Sequence, residues 1–226
     1  MSRLDIWLVE TGQFSSRQAA KRAIKDGLVL VNEKKCKPSK QISEKDVIKL
    51  MSDDADFPLG FKKLKKIDEK LEGKLIDSPC LALDIGSSAG GFLTYLARKG
   101  AKAVGIEVSK RFTKDLHTLV EEYPLISVIF TDAFEMDPTI ITNPGNLDVL
   151  LVDVTTEPEG TLKLIKRFTT LLKKEGWMIA AFKTNLDDTD TLETFKEKIF
   201  QMGYEKIQDM CLDKARQEVH IVALHT

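Results

Sequence analysis

The sequence predicts an α/β protein, a mostly parallel sheet covered on both faces by helices and closed by a late antiparallel strand, preceded by a small α+β module. Three observations carry this. Short apolar runs recur at Leu81 to Ile85, Ala103 to Val108, Val128 to Phe130, Leu147 to Val152, Trp177 to Phe182 and Glu218 to Leu224, with helical patterns between them. The first run leads into a glycine-rich turn and then a helix, the grammar of a nucleotide site. The opening 50 residues follow a different pattern and carry a different charge.

Size permits both parts, since 226 residues can bury an α/β core of ~150 residues and still carry a small module. Formal net charge is −1, unevenly placed: residues 1–50 hold 11 Lys and Arg against six Asp and Glu, leaving 23 against 29 for the rest. A basic head on an acidic body suggests that the head meets a polyanion. Cys36, Cys80 and Cys211 are odd in number and in no Cys-x-x-Cys spacing, so they support neither a disulfide framework nor a zinc site. No apolar run approaches the ~18 residues of a membrane span, and the charged Met-Ser-Arg-Leu-Asp start is unlike a signal peptide, so a cytoplasmic protein is expected.

In the head, Leu4, Trp7 and Leu8 share one face of a helix over Arg3 to Glu10, which Gly12 ends. A second helix, capped by Ser15 or Ser16, has Ala20, Ala23 and Ile24 as its inner stripe and Gly27 after its end. Arg17, Lys21 and Lys25 recur every four residues on the outer face, beside Arg22. Leu28 to Val31, an Asn32-Glu33 turn and a run to Pro38 suggest a hairpin, and Asp46 to Leu50 a last strand. Acidic Met51 to Phe57 then reads as a boundary, with a linker over 51–60 and the body over 61–226.

Residues 2–50, with Arg-Leu-Asp-x-x-Leu-Val and then Ser-Arg-x-x-Ala-x-x-x-Ile-x-x-Gly-x-Val-x-Val-Asn, resemble the S-four RNA-binding domain. By that resemblance Arg3, Arg17, Lys21, Arg22, Lys25 and Lys35 face RNA, chiefly its phosphates and folded shape. Glu33 departs from the family, where glycine is common.

In the body, Asp84 ends the first strand and Gly86, Ser87, Ser88, Ala89, Gly90, Gly91 and Phe92 form the turn into the next helix. The dinucleotide fingerprint and the Lys-Ser or Lys-Thr of a phosphate loop are both missing. Asp-x-Gly-x-x-x-Gly-Gly-Phe instead resembles the first motif of S-adenosylmethionine-dependent methyltransferases. Asp84, Gly86, Ser87, Ser88, Gly90, Gly91 and Phe92 are then the candidate cofactor loop. Glu107, ending the second strand, is placed to accept from ribose hydroxyls. Asp132 and Ala133, ending the third, are placed to hold the adenine.

Asp153 and Lys183 end the fourth and fifth strands, and Glu218 starts the sixth, which brings it to the same edge if that strand is antiparallel. The whole resembles FtsJ-like RNA ribose 2′-O-methyltransferases, and with the basic head it most resembles the TlyA or hemolysin-A type. That resemblance implies a Lys-Asp-Lys-Glu set, for which Lys63, Asp153, Lys183 and Glu218 are the candidates. Asp153 lies in Asp-x-Leu-Leu-Val-Asp-Val, Lys183 in Ala-Ala-Phe-Lys, and Glu218 in Ala-Arg-Gln-Glu-Val-His-Ile-Val-Ala. The segment Gly60-Phe61-Lys62-Lys63-Leu64 lacks the arginine and one glycine of the family's Arg-Gly-Gly-x-Lys-Leu, so Lys62 and Lys66 rival Lys63.

The chemistry explains this set. A ribose hydroxyl must lose its proton before it attacks a methyl group, which casts Lys183 as general base, with burial or a neighbouring cation lowering its pKa. Lys63 supplies that charge, and Asp153 and Glu218 hold the lysines. The expectation is methylation of structured RNA, in first place ribosomal RNA or a ribosomal subunit, with S-adenosylmethionine as cofactor. DNA and membrane partners are not expected, and oligomeric state is open. The alternatives are a non-catalytic RNA-binding ribosome-assembly factor and a membrane-active lysin, the latter disfavoured by the lack of an apolar segment. His117, His220 and His225 lack ligand spacing and Asp187-Asp188-Thr189-Asp190 lacks that of a calcium loop, so no metal is expected.

Overall fold

A computed structural model describes residues 2–51, 54–77, 79–183, 189–212 and 218–226. They divide into two compact units, residues 1–62 and 63–226.

The first unit holds β1 (Ser2–Arg3), α1 (Leu4–Glu10), α2 (Arg17–Lys25), β2 (Val29–Val31), β3 (Lys34–Lys35), β4 (Gln41–Ile42) and β5 (Ile48–Leu50). Leu4, Leu8, Ala20, Ala23, Ile24, Val29 and Val31 form its core, as the helical stripes and the apolar β2 require. Ser16, not Ser15, caps α2 by accepting from the Ala19 amide at 3.2 Å. β2 pairs antiparallel with β3 and β5. Asn32 and Glu33 take φ of 52° and 63°, the left-handed pair of a tight hairpin turn. Asn32 secures that turn without a glycine at 33: its carbonyl accepts from Val47 N and its amide donates to Asp46. The β1–β4 pairing has no sequence signal, because two-residue strands show no periodicity.

The described part of the acidic stretch expected as a linker is tied to this unit. Ala55 is buried in its core, Asp56 accepts from the amide and hydroxyl of Ser15, and Arg22 Nη2 donates to the Asp56 carbonyl.

After α3 (Leu59–Lys70) come β6 (Leu81–Ile85), α4 (Gly91–Arg98), β7 (Lys102–Glu107), α5 (Thr113–Glu122), β8 (Ile126–Phe130), β9 (Leu147–Val152), α6 (Pro158–Phe168), β10 (Leu172–Lys183), α7 (Thr189–Gln201), β11 (Tyr204–Met210) and β12 (Glu218–His225). The seven strands form one sheet in the order β11-β12-β10-β9-β6-β7-β8. Neighbours from β10 to β8 are parallel, and β12 lies antiparallel between β10 and β11. Buried on both faces, β6 and β9 are nearly all apolar. The edge strand β11 is the one the sequence reading misses: its interior is polar and only its end residues, Tyr204 and Met210, are buried.

Lys183 of β10 stands opposite Glu218 of β12 in register, so the start of β12 joins the carboxyl edge of the parallel strands. In the second unit, α3 buries Leu64 and Ile67, Leu71 is buried just after its end, and Asp68 beside them accepts from Tyr95 Oη at 2.7 Å, Leu75 N at 3.2 Å and Lys99 Nζ at 3.1 Å. This buried carboxylate bonds α3 to α4. Among the described residues no helix is long and apolar enough to cross a membrane. Asp187 and Asp188 lie outside the described residues, while Thr189 and Asp190 begin α7.

Tyr95→Phe removes one donor from a carboxylate that is only 1% exposed. It should cost about 1–3 kcal/mol of stability in urea unfolding, whereas an unchanged midpoint would show that Asp68 does not anchor α3.

Candidate active site

A cavity of about 470 Å³ opens at the carboxyl edge of the sheet, where β6 passes to β7 on one side and to β9 on the other. This is the switch point at which open parallel sheets bind ligands, and the volume suits a nucleoside-sized one. Four consecutive strand ends supply its wall: Gly86 and Ser88 after β6, Glu107 to Ser109 from β7, Thr131 to Phe134 after β8, and Asp153 to Thr156 after β9.

The glycine turn is shaped by two different demands. At Gly86, with φ of 92°, an added Cβ would lie 2.5 Å from the Asp153 carbonyl oxygen, so the backbones after β6 and β9 touch only because no side chain intervenes. At Gly90, with φ of 76°, the atoms in the way are Leu119 and Leu116 of α5, so this glycine serves packing rather than ligand approach. Ser88 has φ of 51°, and its amide donates to Glu107 Oε2 at 2.7 Å. The other Glu107 oxygen accepts from Ser109 N at 2.6 Å. Glu107 thus pins the loop and keeps spare lone pairs at the cavity wall.

Of the residues expected to hold a cofactor, Gly86, Ser88, Glu107, Asp132 and Ala133 line the cavity; Asp84, Ser87, Gly90, Gly91 and Phe92 do not. Ser87 and Phe92 are buried below the loop. Asp84 is fully buried, and neither carboxylate oxygen has a hydrogen-bond partner among the described residues. Burial, with Asp153 and Glu107 nearby, pushes its pKa up to about 7. Asp132 Oδ1 accepts from Phe134 N at 2.8 Å, fixing the turn after β8. Val108, Ser109, Arg111, Phe112, Phe134 and Thr155 complete the wall without having been foreseen, since no motif marks them.

Beside the cavity, Lys63 Nζ lies 2.9 Å from Asp153 Oδ2 and 2.6 Å from Glu218 Oε1, its side chain only 11% exposed. Burial alone would lower its pKa, but the two carboxylates outweigh it and raise it, so Lys63 stays charged. His220, buried on β12, sets Nε2 3.5 Å from Glu218 Oε1. Burial and the Lys63 charge lower its pKa, keeping the imidazole neutral. No spacing in the sequence signals this proximity of His220 to Glu218. Lys183 is exposed and donates to Thr155 Oγ1 at 3.0 Å. Among the described residues no group of three or more metal-ligating side chains occurs.

In the first unit Arg3, Arg17 and Lys21 converge on Asp5. Arg22 is directed to the Asp56 carbonyl, and Lys25 and Lys35 are exposed.

The S4 domain profile matches residues 2–48 and the FtsJ-like methyltransferase profile residues 60–223. A Bacillus subtilis (strain 168) protein named "Putative rRNA methyltransferase YqxC" is 38% identical over 111 residues, 44% of this chain and 36% of that one. The alignment therefore spans little more than a third of this curated relative. Among solved structures, "Putative hemolysin from Streptococcus thermophilus" aligns over 100% of this chain and 88% of its own with TM-score 0.65 and 19% identity. Aeropyrum pernix fibrillarin, solved with natively bound S-adenosyl-L-methionine, aligns over 70% and 74% with TM-score 0.56 and 23% identity. Both likenesses concern the fold. S-adenosylmethionine is the methyl donor of such a domain, and the cavity fits it: a nucleoside-sized volume and an acidic wall for a sulfonium cation.

Two measurements probe the loop. Gly86→Ala, clashing with backbone at a positive φ, should weaken S-adenosylmethionine binding in calorimetry by at least about tenfold, or cost about 1–3 kcal/mol of stability; a variant unchanged in both would refute the close approach. An acid with a raised folded-state pKa loses stability as pH climbs from its ordinary value through the raised one. Relative to wild type without cofactor, Asp84→Asn should therefore gain thermal stability from pH 4 to about 7 and gain no more above it. A pH-independent difference would mean that Asp84 is not held neutral by burial.

Proposed function

Because the chain belongs to the FtsJ-like methyltransferase family and carries an S4 domain, we propose that it transfers a methyl group from S-adenosylmethionine to a ribose 2′-hydroxyl of structured RNA, with ribosomal RNA as the substrate. The observation that carries this reading is that both lysines reach the cavity wall: Asp153 lines the cavity and accepts from Lys63, and Thr155 lines it and accepts from Lys183. Methyl donor and hydroxyl acceptor would meet across those two residues. The names of the B. subtilis relative and of the fibrillarin neighbours, one titled a pre-rRNA processing protein, agree in substrate class.

In the cofactor half, Asp132 and Ala133 would hold the adenine, Glu107 the ribose through its spare lone pairs, and the turn from Gly86 to Ser88 the methionine portion. When bound, S-adenosylmethionine supplies an electrophilic methyl group. Asp84, Ser87, Gly90, Gly91 and Phe92 would support the loop from below.

In the acceptor half, Lys63 is an unfavourable base, because two carboxylates keep its ammonium charged. It would donate to the ribose oxygen and orient it. Lys183 would take the 2′-proton on Nζ as the general base. Asp153 and Glu218 fix Lys63 in angle and distance, and Thr155 fixes Lys183.

The test incubates the protein with methyl-labelled S-adenosylmethionine and ribosomal subunits, then digests the RNA with alkali, which cannot cleave next to a 2′-O-methyl group. Label should appear in alkali-resistant dinucleotides. Lys183→Ala and Lys63→Met should each lower the rate by about 10²–10⁴-fold with cofactor binding intact. Label in mononucleotides would replace ribose by a base as acceptor, and an absence of label in any RNA would leave an RNA-binding protein without catalysis.

A further inference from the structure

Asp5 is the one fully buried acid among the described residues of the RNA-binding unit, 0% exposed in the first turn of α1. Three cations surround it. Arg3 donates Nε to Oδ1 at 3.0 Å and Nη2 to Oδ2 at 3.3 Å, Arg17 donates Nε to Oδ2 at 2.8 Å, and Lys21 Nζ stands 3.9 Å from Oδ2. Burial opposes ionisation of Asp5, but the two guanidinium groups outweigh it and hold its pKa below the ordinary carboxylate value.

Neutralising one buried carboxylate needs one cation, and here three are gathered. The surplus is not buried: the side chains of Arg3, Arg17 and Lys21 are 37%, 49% and 40% exposed. Each arginine bonds inward through Nε, so Asp5 fixes its angle while the guanidinium retains outward N–H groups. Arg17 and Lys21 are also one helical turn apart on α2, so their charges adjoin on one ridge. Lys25 continues that ridge, exposed and outside the cluster.

We propose that Asp5 is a positioning residue for RNA binding, which assembles Arg3, Arg17 and Lys21 into one preformed seat for backbone phosphate. This rests on the RNA-binding reading of the first unit and adds a division of labour within it. Arg3, Arg17 and Lys21 form the ordered seat, Lys25 and Lys35 add loosely placed charge, and Arg22 secures the segment at Asp56. Removing the Asp5 charge leaves the number of cations unchanged and raises the net charge of the unit by one. Charge counting alone then demands tighter RNA binding, whereas a positioning role demands weaker binding, since an amide offers one acceptor oxygen where the two arginines use both.

The experiment measures binding of a fluorescent RNA stem-loop to the full-length protein across a salt series, for wild type, Asp5→Asn and Arg17→Ala. Asp5→Asn should bind about tenfold more weakly, and the slope of log affinity against log salt should fall by about 0.7–0.9 for each phosphate that is no longer neutralised. Arg17→Ala should lower the slope by about the amount due to one phosphate, and adding Asp5→Asn to it should cost less than Asp5→Asn does alone. Equal or tighter binding by Asp5→Asn overturns the proposal. Should Asp5→Asn fail to fold, Arg17→Ala decides, because the surface truncation leaves the core intact; unchanged affinity and slope there overturn it too. Wild type that binds no RNA removes the RNA-binding reading itself, an outcome told apart by the first measurement of the series.

Discussion

The ammonium of Lys63 between Asp153 and Glu218 is the constraint on which the candidate site depends. It joins α3, the end of β9 and the start of β12, three elements distant in sequence, through two ion pairs of 2.9 and 2.6 Å. A mostly buried lysine is tolerated only if its charge is met, and a buried pair stripped of one partner is typically destabilised by about 3–5 kcal/mol. The antiparallel direction of β12 is what brings Glu218 to this lysine. Were β12 parallel like β10, Glu218 would begin at the opposite edge, and Lys63 would face a single acid.

The surplus of acids at that edge has its own effect. Asp84, Glu107, Asp132 and Asp153 stand at or beneath the cavity wall, and Asp84 is driven towards neutrality by burial and by the charges of its neighbours. A cationic ligand relieves this. On the proposed reading, a sulfonium within the cavity would favour ionised Asp84 and would bind less tightly where Asp84 is protonated.

How far the sequence discloses all this depends on the range of the interaction concerned. β6 and β9 are legible because strands buried on both faces must be apolar, and Ala20, Ala23 and Ile24 because a helix stripe recurs every three to four residues. The edge strand β11 is not, since its interior is largely exposed and a register shift between Glu205 and Gln208 breaks the two-residue alternation. Within the site, Asp153 and Lys183 could be placed at one edge from strand ends, and Glu218 joins them only if its strand is taken as antiparallel. Their partners could not: Thr155 on Lys183 and His220 behind Glu218 come from side-chain directions, which spacing leaves undetermined. The two glycines make the same point. Gly86 and Gly90 look equivalent in the motif, yet one admits the Asp153 backbone and the other the leucines of α5.

The two units solve opposite electrostatic problems with the same device, a group buried among counter-charges in excess. At Asp5 one carboxylate collects three cations, leaving the surface positive; at Lys63 one ammonium collects two carboxylates, leaving the edge negative. The sequence separates the signs accordingly, with its basic excess in residues 1–50 and its acidic excess after them. On the proposed reading this separation is a requirement rather than an accident. An edge negative enough to attract a sulfonium repels the phosphates of its other substrate. The attraction that brings RNA must therefore come from cations held where acids are scarce, with the catalytic edge left to provide alignment.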